Sequence, residues 1–505
     1  MKSMHTLLEG VAAARNHIAR VALLLSLLLT VCLFCTGTAA ASPAVSLSLT
    51  VGPPTTSLLV SGTGFDPYIA VYIYFDTKNL ALATTDSSGD FSNIGIRAPV
   101  SAVPGTHWVT AVERYRGTAA QASFLVQTDW AQYRFAPSHK GVNPYENVLS
   151  PKTVGQLDLN WSYGTGGGVS TPAVAGGLVY IGSYDGHVYA LNAGTGTLVW
   201  EHQVADYLTS APVVVNGVTY ASDVYGILWT WNDSTGAPLW TYSTLAIGSS
   251  PTVANGTVYF GTNDFYNDNG LTALTASTGT FLWTYPTGSN GIENSPAVAN
   301  GVAYFGCDDY NVYALNASTG ALLWQYLTGF FVSPSPTVAN GAVYVGSDDD
   351  NLYALNATTG TLLWKYTTGG QVHSSPAVAN GVVYVGSADN NVYALNATTG
   401  ALVWKYTTGG SVGDPAVANG VVYFASDDNN LYALGASTGA LLWRYTMGNY
   451  LSAPVVVNGT VYLGSADNNL YTFSLTNGPL AEQFSPPPRP NPKLLQPDPQ
   501  LKPSN

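Results

Sequence analysis

Eight tryptophans recur at an almost constant interval along the last two thirds of the chain. They are Trp161, Trp200, Trp240, Trp283, Trp324, Trp364, Trp404 and Trp443, spaced by 39, 40, 43, 41, 40, 40 and 39 residues. A second marker keeps step, a proline two residues before a valine, at Pro172, Pro212, Pro251, Pro296, Pro336, Pro376, Pro415 and Pro454. Self-similarity at a fixed period means an array of small units that bury their apolar faces against one another. A period near 40 is the length of a four-stranded propeller blade.

The unit from Pro376 to Tyr406 reads as four strands. "PAVAN" is the first, and Asn380-Gly381 is a turn in which both residues need positive φ. "VVYVGS" is the second, closed by "ADNN", whose Asp and Asn bond their own backbone. "VYALNA" and "ALVWKY" are the third and fourth, joined by "TTG". From each proline to the next tryptophan is 28 residues, except for the 32 from Pro251 to Trp283. Counting 28 from Pro454 lands on Glu482, so the last unit lacks its tryptophan, while Trp161 is a fourth strand without its first three. The two halves complete each other. The expected fold is all-β: an eight-bladed β-propeller over residues 157–484, closed by the N-terminal strand "LDLNWSY", so that the ring has no free edge.

Other segments have a different rhythm. In residues 1–41, Lys2, Arg15 and Arg20 precede the apolar run Val21–Cys35 and small residues end at Ala39–Ala41, the pattern of a signal peptide. If uncleaved, the segment is a membrane anchor, and it is the only expected link to a membrane. Without it 13 Lys and Arg face 28 Asp and Glu, net −15, which excludes a basic nucleic-acid groove. Cys307 is then the one cysteine, so no internal disulfide is expected. Residues 44–127 carry strands separated by Gly, Pro and Asp-Ser turns, the pattern of a small β-sandwich. The stretches "SGTGFDPYIAVYIYFD" and "PGTHWVTAV" resemble bacterial immunoglobulin-like modules. Residues 128–156 form a connector expected to pack on the propeller. Residues 485–505, with 8 prolines, read as an extended or disordered tail.

"ALNATTGALVW", Ala394 to Trp404, resembles the tryptophan-docking motif A-x-D-x-x-T-G-x-x-x-W of quinoprotein alcohol dehydrogenases, with Asn396 in place of Asp. It recurs at Ala190–Trp200, Ala314–Trp324 and Ala354–Trp364, and more loosely in three further units. The chain from about Asp129 to Gly478 is thereby similar to the PQQ-like repeat β-propellers, where PQQ is pyrroloquinoline quinone. The resemblance implies that the eight tryptophans dock blade to blade. Enzymes of that family carry vicinal cysteines, a calcium held by Glu, Asn and Asp, and a catalytic Asp, all on long insertions. Here the spacing barely leaves 40 and no Cys-Cys pair exists. The family also holds non-enzymatic eight-bladed scaffolds.

Where shared positions build the fold, function sits in what varies. The loop from each fourth strand to the next proline differs in every unit and rims the channel. Its distinctive members are Tyr207, Glu293, Asn294, Phe330, Phe331, His373, Asp414 and Tyr450, a mixture suited to binding a ligand or partner. The acidic second turns follow turn chemistry. The expanded one, Asn263–Gly270, gives a weak calcium candidate in Asp264 and Asp268, and no other metal is expected. No catalytic residue is assigned. The expectation is a secreted or surface-associated, monomeric, non-enzymatic binding or scaffold protein, with an extracellular protein or glycan as partner and no cofactor. The alternative is a PQQ- and calcium-dependent alcohol dehydrogenase.

Overall fold

The computed structural model describes residues 42–204, 206–244, 246–264, 269–288, 290–476 and 479–496. The leader-like segment 1–41, Asp268 and residues 497–505 lie outside these ranges. Eight sheets make the propeller: seven are four-stranded and antiparallel, and that of blade 7 gains a fifth strand, Val142–Asn143 of the connector, paired in parallel with Ala416–Ala418. Blade 1 comprises Ala173–Ala175, Leu178–Gly182, His187–Asn192 and Leu198–Gln203, and blades 2 to 7 repeat that order. The first strand of each lines the channel and the fourth lies outermost. The Asn-Gly hairpins hold both residues at positive φ, as at Asn380 (50°) and Gly381 (78°). This matches the right-handed strand twist and explains why the dipeptide recurs.

Blade 8 is assembled from both ends of the domain. Val455–Val457, Thr460–Gly464 and Asn469–Ser474 are joined by Asp158–Gly164, with Trp161 opposite Thr472. Glu482, where the missing tryptophan was counted, lies in the short helix Pro479–Gln483 instead. The expected closure is therefore the one observed.

Each tryptophan clasps the next blade. Gly400 has φ +69°, and a Cβ there would sit 2.7 Å from Trp364 Cδ2, so only glycine allows the indole to lie flat on that turn. The Trp364 Nε1–H and the Tyr344 hydroxyl both donate to the Ala397 carbonyl, each at 3.0 Å. Trp324 and Tyr304 converge likewise on Ala357, and Trp404 and Tyr384 on Ala436. Trp161 presses on Gly196 of blade 1, so the closing seam uses the same clasp. Asn356 and Asn396 replace the motif's Asp without loss, because each Oδ1 accepts from two following backbone N–H groups.

The N-terminal domain has two sheets. Ala44–Leu47, Ser57–Thr63 and Phe91–Arg97 form one; Val51–Gly52, Ala119–Val126, Gly105–Glu113, Ala70–Phe75 and Lys78–Thr84 form the other. Val60, Ile73, Val109 and Phe124 are buried between them. Thr128 exchanges two bonds with the Asn458 side chain, and Asn147 Nδ2 donates to Val100 and Ala102. These bonds tie the sandwich to the Asn-Gly side of the propeller.

The tail expectation is corrected as far as Gln496. Arg489 lies 4.4 Å over the Trp108 ring and its Nε donates to Gln121. Gln121 Nε2 in turn donates to the Pro490 carbonyl, Pro486 packs on Gly105, and Leu495 joins Tyr72, Tyr74 and Val112. Proline kept this segment out of regular structure, but its rings and one cation found an apolar sheet face to cover.

Candidate functional site

An inner strand presents one edge to the channel, and its N–H and C=O groups must find partners. The connector supplies them. It enters at Trp130, which exchanges two backbone bonds with Val174 of blade 1. Ala131 O accepts from Val214, Gln132 Oε1 from Val253, Pro137 O from Val298 and Ser138 O from Val338. Lys140 O and Gly141 O then accept from Val378 and Val417, and Asn143 Nδ2 donates to Val456 O. The middle valine of every P-x-V marker is thus bonded to one turn of chain laid around the channel. The sequence showed the valine's period but not its partner, because the connector does not repeat.

The connector's side chains fill the channel toward the side that carries the variable loops. Tyr133 donates to Asp414 Oδ2 at 2.5 Å, and Arg134 lies 3.7 Å from that oxygen while donating to the Pro376 carbonyl. His139 is buried, and desolvation, then the Arg134 charge, pushes its pKa down to about 3, so it is neutral. A girdle surrounds them. Ala211, Ser250, Ser295 and Ser335 donate their backbone N–H to Ser250, Ser295, Ser335 and Ser375 Oγ respectively, and Ser375 N–H donates to Asp414 Oδ1. The residue before six of the eight marker prolines therefore links blade to blade, a signal present in the repeat and missed by sequence reasoning.

The predicted site residues separate accordingly. Asn294 is buried and its amide donates to Gly306 O and Val332 O, so it holds a loop and is not offered to a ligand. Asp414 is likewise committed to the channel network. Tyr207 and Tyr450 are more than half exposed, at 56% and 61%. They fall in an arc with Tyr184 and Tyr225, which the second turns supply and which were not foreseen. Tyr184 and Tyr207 rings lie 6.2 Å apart, and Tyr207 O accepts from Val224, next to Tyr225. Tyr450 O accepts from Ala466, which lies against Gly168, itself beside Tyr184.

The other half of this face is acidic. Glu293 accepts from Asn263, and His373 sits 3.3 Å from Asp348 and 3.0 Å from Gln371 Oε1. Asp308 stands between Glu293 and Asp348; desolvation and those neighbours raise its pKa to about 6. Phe330 stacks on Tyr310 at 5.2 Å, and Phe331 meets it edge-on at 5.3 Å. The acid at the second position of such a turn is structural: Asp389 accepts from Asn391, Tyr393 and Gly369. Asp264 and Asn269 brace the expanded turn by two mutual bonds. Among the described residues no group of three His, Cys, Asp or Glu is placed to hold a metal ion. Cys307 is buried and unpaired, its thiol pushed up to about 12 chiefly by burial. Tyr133, Arg134 and His139 of the connector occupy the channel beside Asp414.

The opposite face, built from the Asn-Gly hairpins, carries two adjoining openings. One cavity of about 630 Å³ is lined by Phe135, Lys140, Asn143, Glu146 and the hairpins of blades 5 to 7. Another of about 430 Å³ adjoins it at Ser138, Lys140 and Asn340.

The family described as outer membrane protein assembly factor BamB matches residues 146–264, 208–330, 328–413 and 407–483. The BamB structure from Moraxella catarrhalis is 19% identical, with 63% of this chain and 99% of that chain covered and a TM-score of 0.56. The quinohemoprotein alcohol dehydrogenase ADHIIG from Pseudomonas putida HK5 is 18% identical over 72% of this chain and 82% of that one, TM-score 0.61. A europium-containing methanol dehydrogenase is 15% identical over 69% and 98%, TM-score 0.61. At these identities the structures share the fold alone. No curated protein sequence matches the chain.

Proposed function

Because the chain belongs to the PQQ-like repeat β-propellers described as outer membrane protein assembly factor BamB, we propose that it is an exported, non-enzymatic binding or scaffold protein working through its loop face. The observation that carries this reading is the arc of Tyr184, Tyr207, Tyr225 and Tyr450, exposed by 50%, 56%, 69% and 61% on one face. Four tyrosines at least half exposed on one face are anchors for a partner, since tyrosine supplies contact area at small entropic cost. The partner is an extracellular or envelope protein or a glycan. Among the described residues no helix is long and apolar enough to cross a membrane.

The filled channel speaks for the same reading over the dehydrogenase, which the two quinoprotein neighbours keep as the competing one. Two measurements separate them. Protein mixed with PQQ and Ca²⁺ should take up no chromophore and reduce no dye with alcohol; stoichiometric uptake with turnover would overturn the proposal. Immobilised protein should capture one saturable component of the native envelope, and Tyr207→Ala with Tyr225→Ala and Tyr450→Ala should lose it. Undiminished capture by that triple variant would remove the arc from the argument.

A further inference from the structure

Lys140 stands where the two cavities of the hairpin face meet. Its backbone carbonyl is fixed by Val378, but its side chain is exposed and makes no hydrogen bond or ion pair with any described residue. The carboxylate that shares the cavity is already occupied: Glu146 Oε1 accepts from Val148 and Leu149, and Oε2 from Gly459. Asp414, the other acid near the connector, is taken by Tyr133 and Arg134. Lys140 is thus a cation without a counter-ion in a chain whose formal net charge is −13.

Its surroundings are neutral and rich in hydrogen-bonding groups. Asn255, Asn300, Asn340, Asn380 and Asn419 occupy the first position of five hairpin turns, with φ of 51°, 50°, 52°, 50° and 42°. The turns demand such a residue, and all five asparagines are exposed and line the two cavities. Each offers a donor and an acceptor, the pairing that vicinal hydroxyls need. Phe135 adds one aromatic ring to the wall. The larger opening, about 630 Å³, is of the size that holds a small molecule.

We infer that this funnel is a binding site for a hydroxyl-rich small anion, a sugar bearing one carboxylate or phosphate, with Lys140 holding the charge and the asparagine amides the hydroxyls. It lies on the face opposite the tyrosine arc and stands whether or not that arc binds a partner.

Calorimetric titration with glucuronate, glucose 6-phosphate, glucose and inorganic phosphate tests it on the full chain. Glucuronate or glucose 6-phosphate should bind; which of the two binds more tightly distinguishes carboxylate from phosphate. Glucose and inorganic phosphate, each lacking half of the recognition, should bind at least tenfold more weakly. Lys140→Met should weaken the acidic sugar about tenfold or more, as loss of one charge-assisted contact does, with the thermal midpoint unchanged. Asn380→Asp keeps a residue that tolerates positive φ and sets a negative charge beside Lys140, so it should weaken the acidic sugars and spare glucose. The inference is overturned if neither acidic sugar binds at millimolar concentration, or if both variants bind as the parent does. Inorganic phosphate binding as tightly as glucose 6-phosphate would reduce the funnel to a simple anion site and overturn the sugar assignment.

Discussion

The tryptophans are equivalent in sequence, yet their indole N–H groups are not equivalent in the structure, and this difference is measurable. Trp364 Nε1 donates to Ala397 O at 3.0 Å, whereas Trp283 Nε1 is buried and has no partner among the described residues. Both residues are nearly buried, 8% and 9% exposed, so Trp→Phe removes a similar volume at each. The packing cost then cancels in the comparison. Trp364→Phe also loses a hydrogen bond, about 1 kcal/mol net. Trp283→Phe removes an orphaned donor whose burial costs about 1–3 kcal/mol, which offsets part of its packing loss. The difference is about 2 kcal/mol or more. Unfolding entropy near 2.1 cal/mol/K per residue over roughly 320 residues gives about 0.7 kcal/mol/K, so Trp364→Phe should melt about 3 °C below Trp283→Phe. Differential scanning calorimetry at one scan rate reads this directly. Equal midpoints, or Trp283→Phe the lower of the two, would refute the claim that the indole N–H contributes to the clasp.

Two further outcomes follow from particular groups. The folded pKa of Asp308, about 6, lies above the 3.8 of an ordinary aspartate, so the native state holds the proton more tightly. That stability is fully present below about pH 3.8 and is lost as pH rises through about 6; Asp308→Asn should raise the thermal midpoint at pH 7.5, by roughly 1 kcal/mol after allowing for its partial exposure, and leave it nearly unchanged at pH 3. Ending the chain after Ser485 exposes Trp108, Tyr72 and Gln121; the truncated protein should melt earlier and show faster amide exchange in Gly105–Glu113 and Ala119–Val126, while exchange in blades 3 to 6 stays unchanged.

Repetition made the fold legible. A Pro-x-Val, an Asn-Gly, a Thr-Gly and a Trp at fixed offsets are local demands, each met within or between neighbouring units, so counting them was enough to place eight blades and the seam at Trp161. The same property hid the site. Asn294 and Asp414 looked distinctive because they break the repeat, but they break it to bond Gly306 and Tyr133. Tyr184 and Tyr225 were passed over because they sit in turns whose acids are structural, and the face they share with Tyr207 exists only once the blades are side by side.

By itself the sequence determined the blade, the blade number, the clasp and the closing strand, because hydrogen-bonding and packing rules of short range act within about 40 residues. Only the tertiary structure decided what occupies the axis. The connector's path around eight inner strands, the pairing of Tyr133 with Asp414 across 281 residues, the docking of Arg489 on Trp108 and the unpaired Lys140 between two cavities join segments with no common period. Such contacts are set by which edges and faces remain unsatisfied after the ring has closed, and that is known only from the closed ring.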